Sequence, residues 1–523
     1  MMNSKIVNTI SLVTILIFLL ILINSCAENN NPPNIIFILS DDVSYRDFGF
    51  TGQKMFETPN IDQLAENGLM FTSAYAGSPE CAPSRASLMT GMHMGHSRVR
   101  ANRSVRGQEH LLKEDVTIAE VLKKAGYKTG FIGKWGIGLP GTEGVPHKQG
   151  FDYSFGFYDQ LRAHTFYPDY LIENGEKIEL PENHGFNMEK VYEYAKRPID
   201  NIEDVKNIYE NGMLVADGVD DPTKVKNSED LFQHSALKFI KENKNDPFFL
   251  YYATQLPHGP VITPVLDEYN DKDWSLKNKE WAAMMKHMDR GVGKMLDVLE
   301  EEGILDNTII FFAGDNGYSQ YGYFGRKPWE DDPLFKNKGP WPKGKFTCTH
   351  EGGMRVPFFV YWKGKINSGS SDLVCSLYDF FPTAAELTGV VSPETDGISL
   401  LPTLINNSAE QQKHKYLYWE NGTWSRHSQS VRLQNWWAFR NHPDEPIQLY
   451  DLNNDLQCEN DLSDSNPEII GKIKTIFQQA HTDSEWYVNP GESKSEIEAK
   501  RKKAEQEGSL QIPTPPNSTS KMK

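Results

Sequence analysis

Four continuous apolar runs that each stop at polar residues constrain this chain more than any other feature. Asn34 to Leu39 leads into Ser40-Asp41-Asp42, Thr129 to Ile132 into Gly133-Lys134, Pro247 to Ala253 toward His258, and Thr308 to Ala313 into Gly314-Asp315-Asn316-Gly317. Unbroken apolar stretches of this length suit strands buried on both faces. Helix-period patterns separate them, at 61–67, 116–125, 230–242 and 281–302. The alternation reads as an α/β fold, a large and mostly parallel sheet flanked by helices. In such sheets ligands bind beyond the carboxyl ends of the strands, where all four polar clusters fall. One more strand is expected at 357–362 and a helix at 377–387, ending near Gly389.

The rest of the 523 residues divides by composition. Residues 34–403 form the main domain. Over 404–490 the pattern changes to short strands, at 416–419, 429–440 and 448–452, closed by a helix at 467–480; this reads as a smaller C-terminal α+β domain. The stretch 491–523 is rich in Lys, Glu, Ser and Pro and reads as a charged, disordered tail with a helix pattern at 495–507. At the other end, Lys5 precedes an apolar run from Ile10 to Ile23 that is short for a bilayer span and suits a signal peptide, residues 1–25. Ile23-Asn24-Ser25-Cys26 resembles a bacterial lipobox, which implies lipidation of Cys26 and a tether over 26–33. Export follows, with anchoring to the outer membrane or cell surface; cleavage elsewhere would leave a periplasmic or secreted protein.

A net charge of -17 speaks against a nucleic-acid partner, which would require a basic footprint. It also means that any anionic substrate needs positive charge concentrated locally. Of five cysteines, Cys348, Cys375 and Cys458 remain once Cys26 and Cys81 are set aside. Three is an odd number, so at most one bridge can form among them, and no disulfide scaffold is implied.

Cys81-Ala82-Pro83-Ser84-Arg85-Ala86-Ser87-Leu88-Met89-Thr90-Gly91 suits a helix start, because proline is tolerated in a first turn and Arg85 returns to the face of Cys81 one turn on. The order C-x-P-S-R-x-x-x-x-T-G resembles the signature of the type I sulfatases of the alkaline phosphatase superfamily, matched at every signature position. Gly126-Tyr127-Lys128-Thr129-Gly130-Phe131-Ile132-Gly133-Lys134-Trp135 is similar to the second signature of that family. The resemblance implies an alkaline phosphatase-like fold and conversion of Cys81 to formylglycine by a formylglycine-generating or anaerobic sulfatase-maturating enzyme. One hydroxyl of the aldehyde hydrate then attacks sulfur, and collapse of the other expels sulfate. A thiol could not regenerate itself in this way.

The same resemblance implies that Asp41, Asp42, Asp315 and Asn316 hold a metal ion against residue 81. Hard oxygen ligands favour calcium, with magnesium as the alternative. Lys134 becomes a ligand of formylglycine and sulfate. His258, in Pro257-His258-Gly259-Pro260, protonates the leaving alcohol or binds the bridging oxygen. Glu351-Gly352-Gly353-Met354-Arg355-Val356-Pro357 resembles a further block, in which Glu351 and Arg355 read as a structural ion pair. Relatives place a sulfate-binding lysine five residues before that glutamate. Here Phe346 stands there, so Lys345 is expected to serve, with Lys343 as the fallback; together Arg85, Lys134, Lys345 and His258 are expected to act catalytically, as cationic donors around the transition state. Relatives also follow the tryptophan of the second signature with a histidine that touches the formylglycine hydroxyl. Here Gly136 follows Trp135, so either another histidine takes that role, with His164 as the proposed substitute, or the base is weaker or differently placed.

These residues imply a sulfuric ester hydrolase. A sulfated oligosaccharide or polysaccharide is the expected substrate, from the lipoprotein-like start and from Trp419, Trp424, Trp436 and Trp437, which suit either sugar stacking or the core of the small domain. A phosphate or phosphonate monoester hydrolase and a catalytically impaired glycan-binding lipoprotein are the alternative readings.

Overall fold

The computed structural model describes residues 32–186, 209–216, 218–319, 332–336, 338–423 and 426–511. The signal peptide, Cys26, the tether up to residue 31, Trp424 and residues 512–523 lie outside the described residues. Six strands carry the centre of the fold: β1 (Asn34–Ser40), β2 (Lys128–Lys134), β3 (Tyr153–Phe157), β4 (Phe248–Ala253), β5 (Thr308–Gly314) and β6 (Phe358–Trp362). They run in the order β6-β5-β1-β4-β2-β3 inside a ten-stranded sheet. The five from β5 to β3 are parallel, and β6 is antiparallel. Short strands extend both edges, Leu69–Phe71 and Gly369–Ser371 beyond β6, Tyr170–Glu173 and Glu176–Glu179 beyond β3.

The apolar runs have no polar alternation because both faces of the sheet are covered. On β1, Ile36 and Ile38 enter one core while Ile35, Phe37 and Leu39 enter the other, as the two-residue period of a strand requires. Helices α1 (Pro59–Glu66), α4 (Ser228–Asn243) and α5 (Leu276–Glu301) cover the first face. Helices α2 (Cys81–Thr90), α3 (Ile118–Lys124) and α6 (Phe380–Leu387) cover the second. Each such side chain fully buried stabilises the fold by about 1.5–3 kcal/mol. Register aligns the strand ends: Ser40 pairs with Gly314, Leu39 and Gly133 with Ala253, and Lys134 with Phe157.

The small domain is a four-stranded antiparallel sheet, Leu417–Thr423, Arg426–Leu433, Trp436–Arg440 and Gln448–Asp451, packed on α7 (Pro467–Gln479). The stretch 429–440, expected as one strand, is a hairpin. Leu433 pairs with Trp436, and Gln434 turns with φ 57° in place of the usual Asn or Gly. Trp419 and Trp437 are not available for sugar stacking. Both are fully buried, and their indole N–H groups donate to the carbonyls of Ala76 and Thr349, which locks this sheet onto the main domain. Cys348, Cys375 and Cys458 are free thiols.

Within the stretch read as a tail, α8 (Lys494–Gln506) is docked rather than loose. Ser493 and Glu496 form a reciprocal cap, and Ile497 buries itself against Val105 and Val488. The apolar face is only Ile497 and Ala504, too sparse to stand out among charged neighbours.

Candidate active site

The pairing of Ser40 with Gly314 brings the two acidic clusters together. One residue beyond the sheet, the Asp315 N–H still donates to the Ser40 carbonyl at 2.9 Å, and the Asp41 N–H donates to the Leu256 carbonyl at 3.0 Å. Asp42 adopts a left-handed conformation, φ 65°, and its N–H donates to Asp315 Oδ1 at 3.1 Å.

Cys81 opens α2 into this cluster. No side chain of the preceding residue caps the helix; the Ala82 N–H is satisfied by Asn102 Oδ1 at 2.9 Å. Cys81 Sγ lies 3.1 Å from Lys345 Nζ and 3.5 Å from Asp41 Oδ1. Lys134 Nζ, at the end of β2, reaches Asp41 Oδ2 at 2.5 Å, and Lys345 pairs with Asp42. Arg85 donates to Asp315 Oδ2 at 2.8 Å and to the Lys134 carbonyl at 2.6 Å. His258 Nε2 faces Asp42 Oδ2 at 3.5 Å, and the His164 ring stacks on His258 with centroids 4.4 Å apart.

Three carboxylates and three cations thus meet in a buried cage. Lys345, and not Lys343, reaches it; Phe346 takes a left-handed turn, φ 67°, that accommodates the displaced lysine. Glu351 and Arg355 pair at 2.8 Å beside Tyr75 and Arg432, bracing the loop as expected.

Burial opposes every charge here, and the partners decide which survive. Against that cost, Lys134, His258, Arg85 and Lys345 hold Asp41 well below the usual carboxylate range, and Lys345 and His258 lower Asp42. For Asp315 burial wins, reinforced by the Asp41 charge, and the carboxyl is pushed up to about 6. Burial drives His258 down to about 4 and His164 well below its ordinary value, the latter aided by His258. The Cys81 thiol is pushed up to about 12, also by burial. It is therefore a protonated thiol at neutral pH and a poor nucleophile as cysteine.

The donor set fits a hard divalent cation. Asn316 Nδ2 donates to Asp42 Oδ1 at 3.0 Å and to the Gly317 carbonyl, yet Asn316 Oδ1 is buried with no hydrogen-bond partner among the described residues. A buried oxygen left without a partner costs about 1–3 kcal/mol, and a cation beside the aspartates would satisfy it. Ligand atoms of Asp41, Asp42, Cys81 and His258 lie within 4.8 Å of one another.

Asn102, Gln108 and Gln160 also shape the site, and none was identified from sequence. His164, expected as the substitute for the missing histidine, sits on His258. Gln160 is the residue beside Gly136, where an added Cβ would stand 2.7 Å from its Oε1. Its only sequence signature is a polar residue in the loop that follows β3.

The profile of the family described as Sulfatase matches residues 33–390. An N-acetylgalactosamine-6-O-sulfatase of Bacteroides thetaiotaomicron is 28% identical over 501 residues, 87% of this chain and 94% of that protein. Human N-acetylgalactosamine-6-sulfatase is 32% identical over 389 residues, 72% of this chain and 66% of that protein. The crystal structure of Ps i-CgsB superposes with a TM-score of 0.68 at 27% identity, covering 92% of this chain and 100% of that one, as does its complex with k-i-k-neocarrahexaose. With more than half of its length matched and the strand-end clusters gathered in one cage, this chain belongs to the sulfatase family of enzymes, in the alkaline phosphatase superfamily.

Proposed function

We propose that this sulfatase removes sulfate from a sulfated, polysaccharide-derived carbohydrate, using residue 81 after its conversion from cysteine to formylglycine. The observation that carries the reading is the position of Cys81 Sγ, 3.1 Å from Lys345 and 3.5 Å from Asp41 at the start of a buried helix. Burial pushes that thiol up to about 12, which disfavours the thiolate as the nucleophile. Asp41, Asp42, Asp315 and Asn316 would hold calcium, or magnesium in its place. When present, the ion offsets negative charge on a sulfate oxygen and the formylglycine hydrate supplies the attacking hydroxyl.

The side chains divide the remaining work. Lys134 and Lys345 donate to sulfate oxygens and stabilise charge that grows in the transition state. Arg85 commits its N–H groups to Asp315 and the Lys134 carbonyl, so it fixes the cage. His258 gives its Nδ1–H to the Gly259 carbonyl, because a carbonyl can only accept, so its Nε2 is the atom that takes a proton from solvent and delivers it to the leaving alcohol oxygen.

Support for a carbohydrate substrate comes from the relatives. Two are N-acetylgalactosamine-6-sulfatases by name, and one solved structure holds an oligosaccharide. The lipoprotein-like start, with Cys26 as the lipidated residue, supports action at the cell surface on an extracellular polymer. Coexpression with a formylglycine-generating or anaerobic maturation enzyme, followed by assay on the sulfate and phosphate esters of the same phenol and on 6-sulfated N-acetylgalactosamine, tests the reading. Sulfate release is expected from the first and third substrates. Turnover of the phosphate ester alone would contradict it.

A further inference from the structure

β3 runs parallel to β2 and ends opposite Lys134, so the loop after it emerges at the same carboxyl edge as the catalytic clusters. Two backbone bonds carry the pairing past the strand ends, from the Trp135 N–H to the Phe157 carbonyl at 2.9 Å and from the Gly136 N–H to the Tyr158 carbonyl at 3.1 Å. Gln108 then clamps the two loops together. Its Oε1 accepts from the Gln160 N–H at 2.8 Å, and its Nε2 donates to the Gly136 carbonyl at 3.2 Å. A short turn held by Asp159 Oδ1 on the Arg162 N–H follows and delivers His164 to His258.

The Gln160 backbone is thus fixed, yet its carboxamide is not engaged. The residue is only 6% exposed, and neither Oε1 nor Nε2 has a hydrogen-bond partner among the described residues. A fold does not bury a polar group without a partner unless something else satisfies it. The carboxamide also fills the space a side chain at position 136 would need. The nearest atoms to a Cβ there are Gln160 Oε1 at 2.7 Å, Arg85 Cδ at 3.8 Å and Ala82 Cβ at 3.9 Å, the last two from the first turns of the helix that Cys81 opens.

We propose that Gln160 is a substrate-contacting residue, whose carboxamide hydrogen-bonds the sulfate group of the ester held at residue 81 from the space left open by Gly136. The assignment rests on the sulfatase reading and adds a residue to it. A carboxamide donates through Nε2 without titrating, so it binds and orients the sulfate and takes no part in proton transfer.

The test uses the matured, calcium-loaded protein and two variants, Gln160→Leu, an apolar swap of similar size, and Gln160→Glu, which adds a charge of the same sign as sulfate. Titration calorimetry with inorganic sulfate is paired with kcat and KM on an aryl sulfate. A hydrogen bond to a charged group predicts sulfate affinity and kcat/KM about 10- to 100-fold weaker in Gln160→Leu, and weaker still in Gln160→Glu, with the Gln160→Leu melting temperature equal to wild type or higher. If Gln160 only fills space, Gln160→Leu keeps wild-type sulfate affinity, kcat and KM, and that result overturns the assignment. An active wild type beside an unimpaired Gln160→Leu removes Gln160 alone; a wild type that neither binds sulfate nor turns over a sulfate ester removes the sulfatase reading with it.

Discussion

Two buried clusters in this molecule each set carboxylates against arginine and histidine, and they end in opposite states. Near the small domain, Glu420 has both oxygens engaged. Arg100 donates to Oε1 at 3.2 Å, and His481 and Tyr418 meet Oε2 at 2.7 and 2.6 Å. Burial opposes its charge, but these partners bring its pKa below the ordinary glutamate range. At the strand ends, Asp41 is held charged while Asp315, which shares Arg85 with it, is pushed up to about 6, and Asn316 Oδ1 has no partner among the described residues. A closed set of partners makes a structural cross-link. An incomplete set makes a place for a ligand, and the stability it forgoes is what binding recovers.

The largest effect expected from this contrast is on turnover. Asp315→Asn should lower kcat/KM on an aryl sulfate by about 10²–10³-fold, with urea unfolding of the metal-free protein changed less than in a Glu420 variant, because the Asp315 charge, though paired with Arg85, is already disfavoured by burial and by Asp41. Equal losses of stability at both positions would erase the distinction. Glu420→Gln breaks a satisfied buried ion pair and should cost about 3–5 kcal/mol in the same urea titration, while kcat per folded molecule stays within about twofold, a span that matches less than 0.5 kcal/mol in barrier.

Metal removal should separate the clusters again. Chelation is expected to abolish activity, and restoring calcium to about 100 times its Kd should raise stability by about 2.7 kcal/mol. Asp315→Asn should blunt that gain and Glu420→Gln should leave it intact, as read by thermal unfolding with and without calcium.

The smallest effect is in the pH dependence of stability, and its sign differs between two buried pairs. Glu420 has a lowered folded pKa, so its contribution is complete above the unfolded value of about 4.3 and disappears as pH falls through the folded value. His414 is opposite. Burial lowers its pKa, but Asp379 at 2.8 Å raises it overall, so its contribution is complete below about 6.5 and is lost as pH rises through the folded value. The gap in urea midpoint between wild type and Glu420→Gln should therefore narrow as pH falls below about 4.3, and the gap for His414→Asn should narrow on the alkaline side.

The strands and their polar ends were legible because a strand covered on both faces has to be apolar throughout, and its end is marked where Asp, Lys or His begins. That reasoning located β1, β2, β4, β5 and β6 and the residues that Ser40, Gly314 and Ala253 bring into register. It did not locate β3. In Tyr153–Phe157, Ser154 and Gly156 interrupt the apolar run, and Gly156 meets the Gly133 carbonyl so closely that a Cβ would stand 1.9 Å from it. Without β3 the loop that brings Gln160 to Gly136 has no visible position, since their contact depends on Gln108, 28 residues before Gly136. Trp419 and Trp437 show the same limit. Indole rings that suit a sugar also suit a core, and only the carbonyls of Ala76 and Thr349 decide the matter.

The central claim is that residue 81 acts as an oxidised thiol within this cage. The most direct test is mass spectrometry of the peptide spanning Cys81 from protein made with and without a maturation enzyme, with sulfate release measured on the same samples. Conversion of CH2SH to CHO should lower the peptide mass by about 18 Da, and sulfate release should scale with the converted fraction. Full sulfate release from protein whose Cys81 is entirely unconverted thiol would contradict the account.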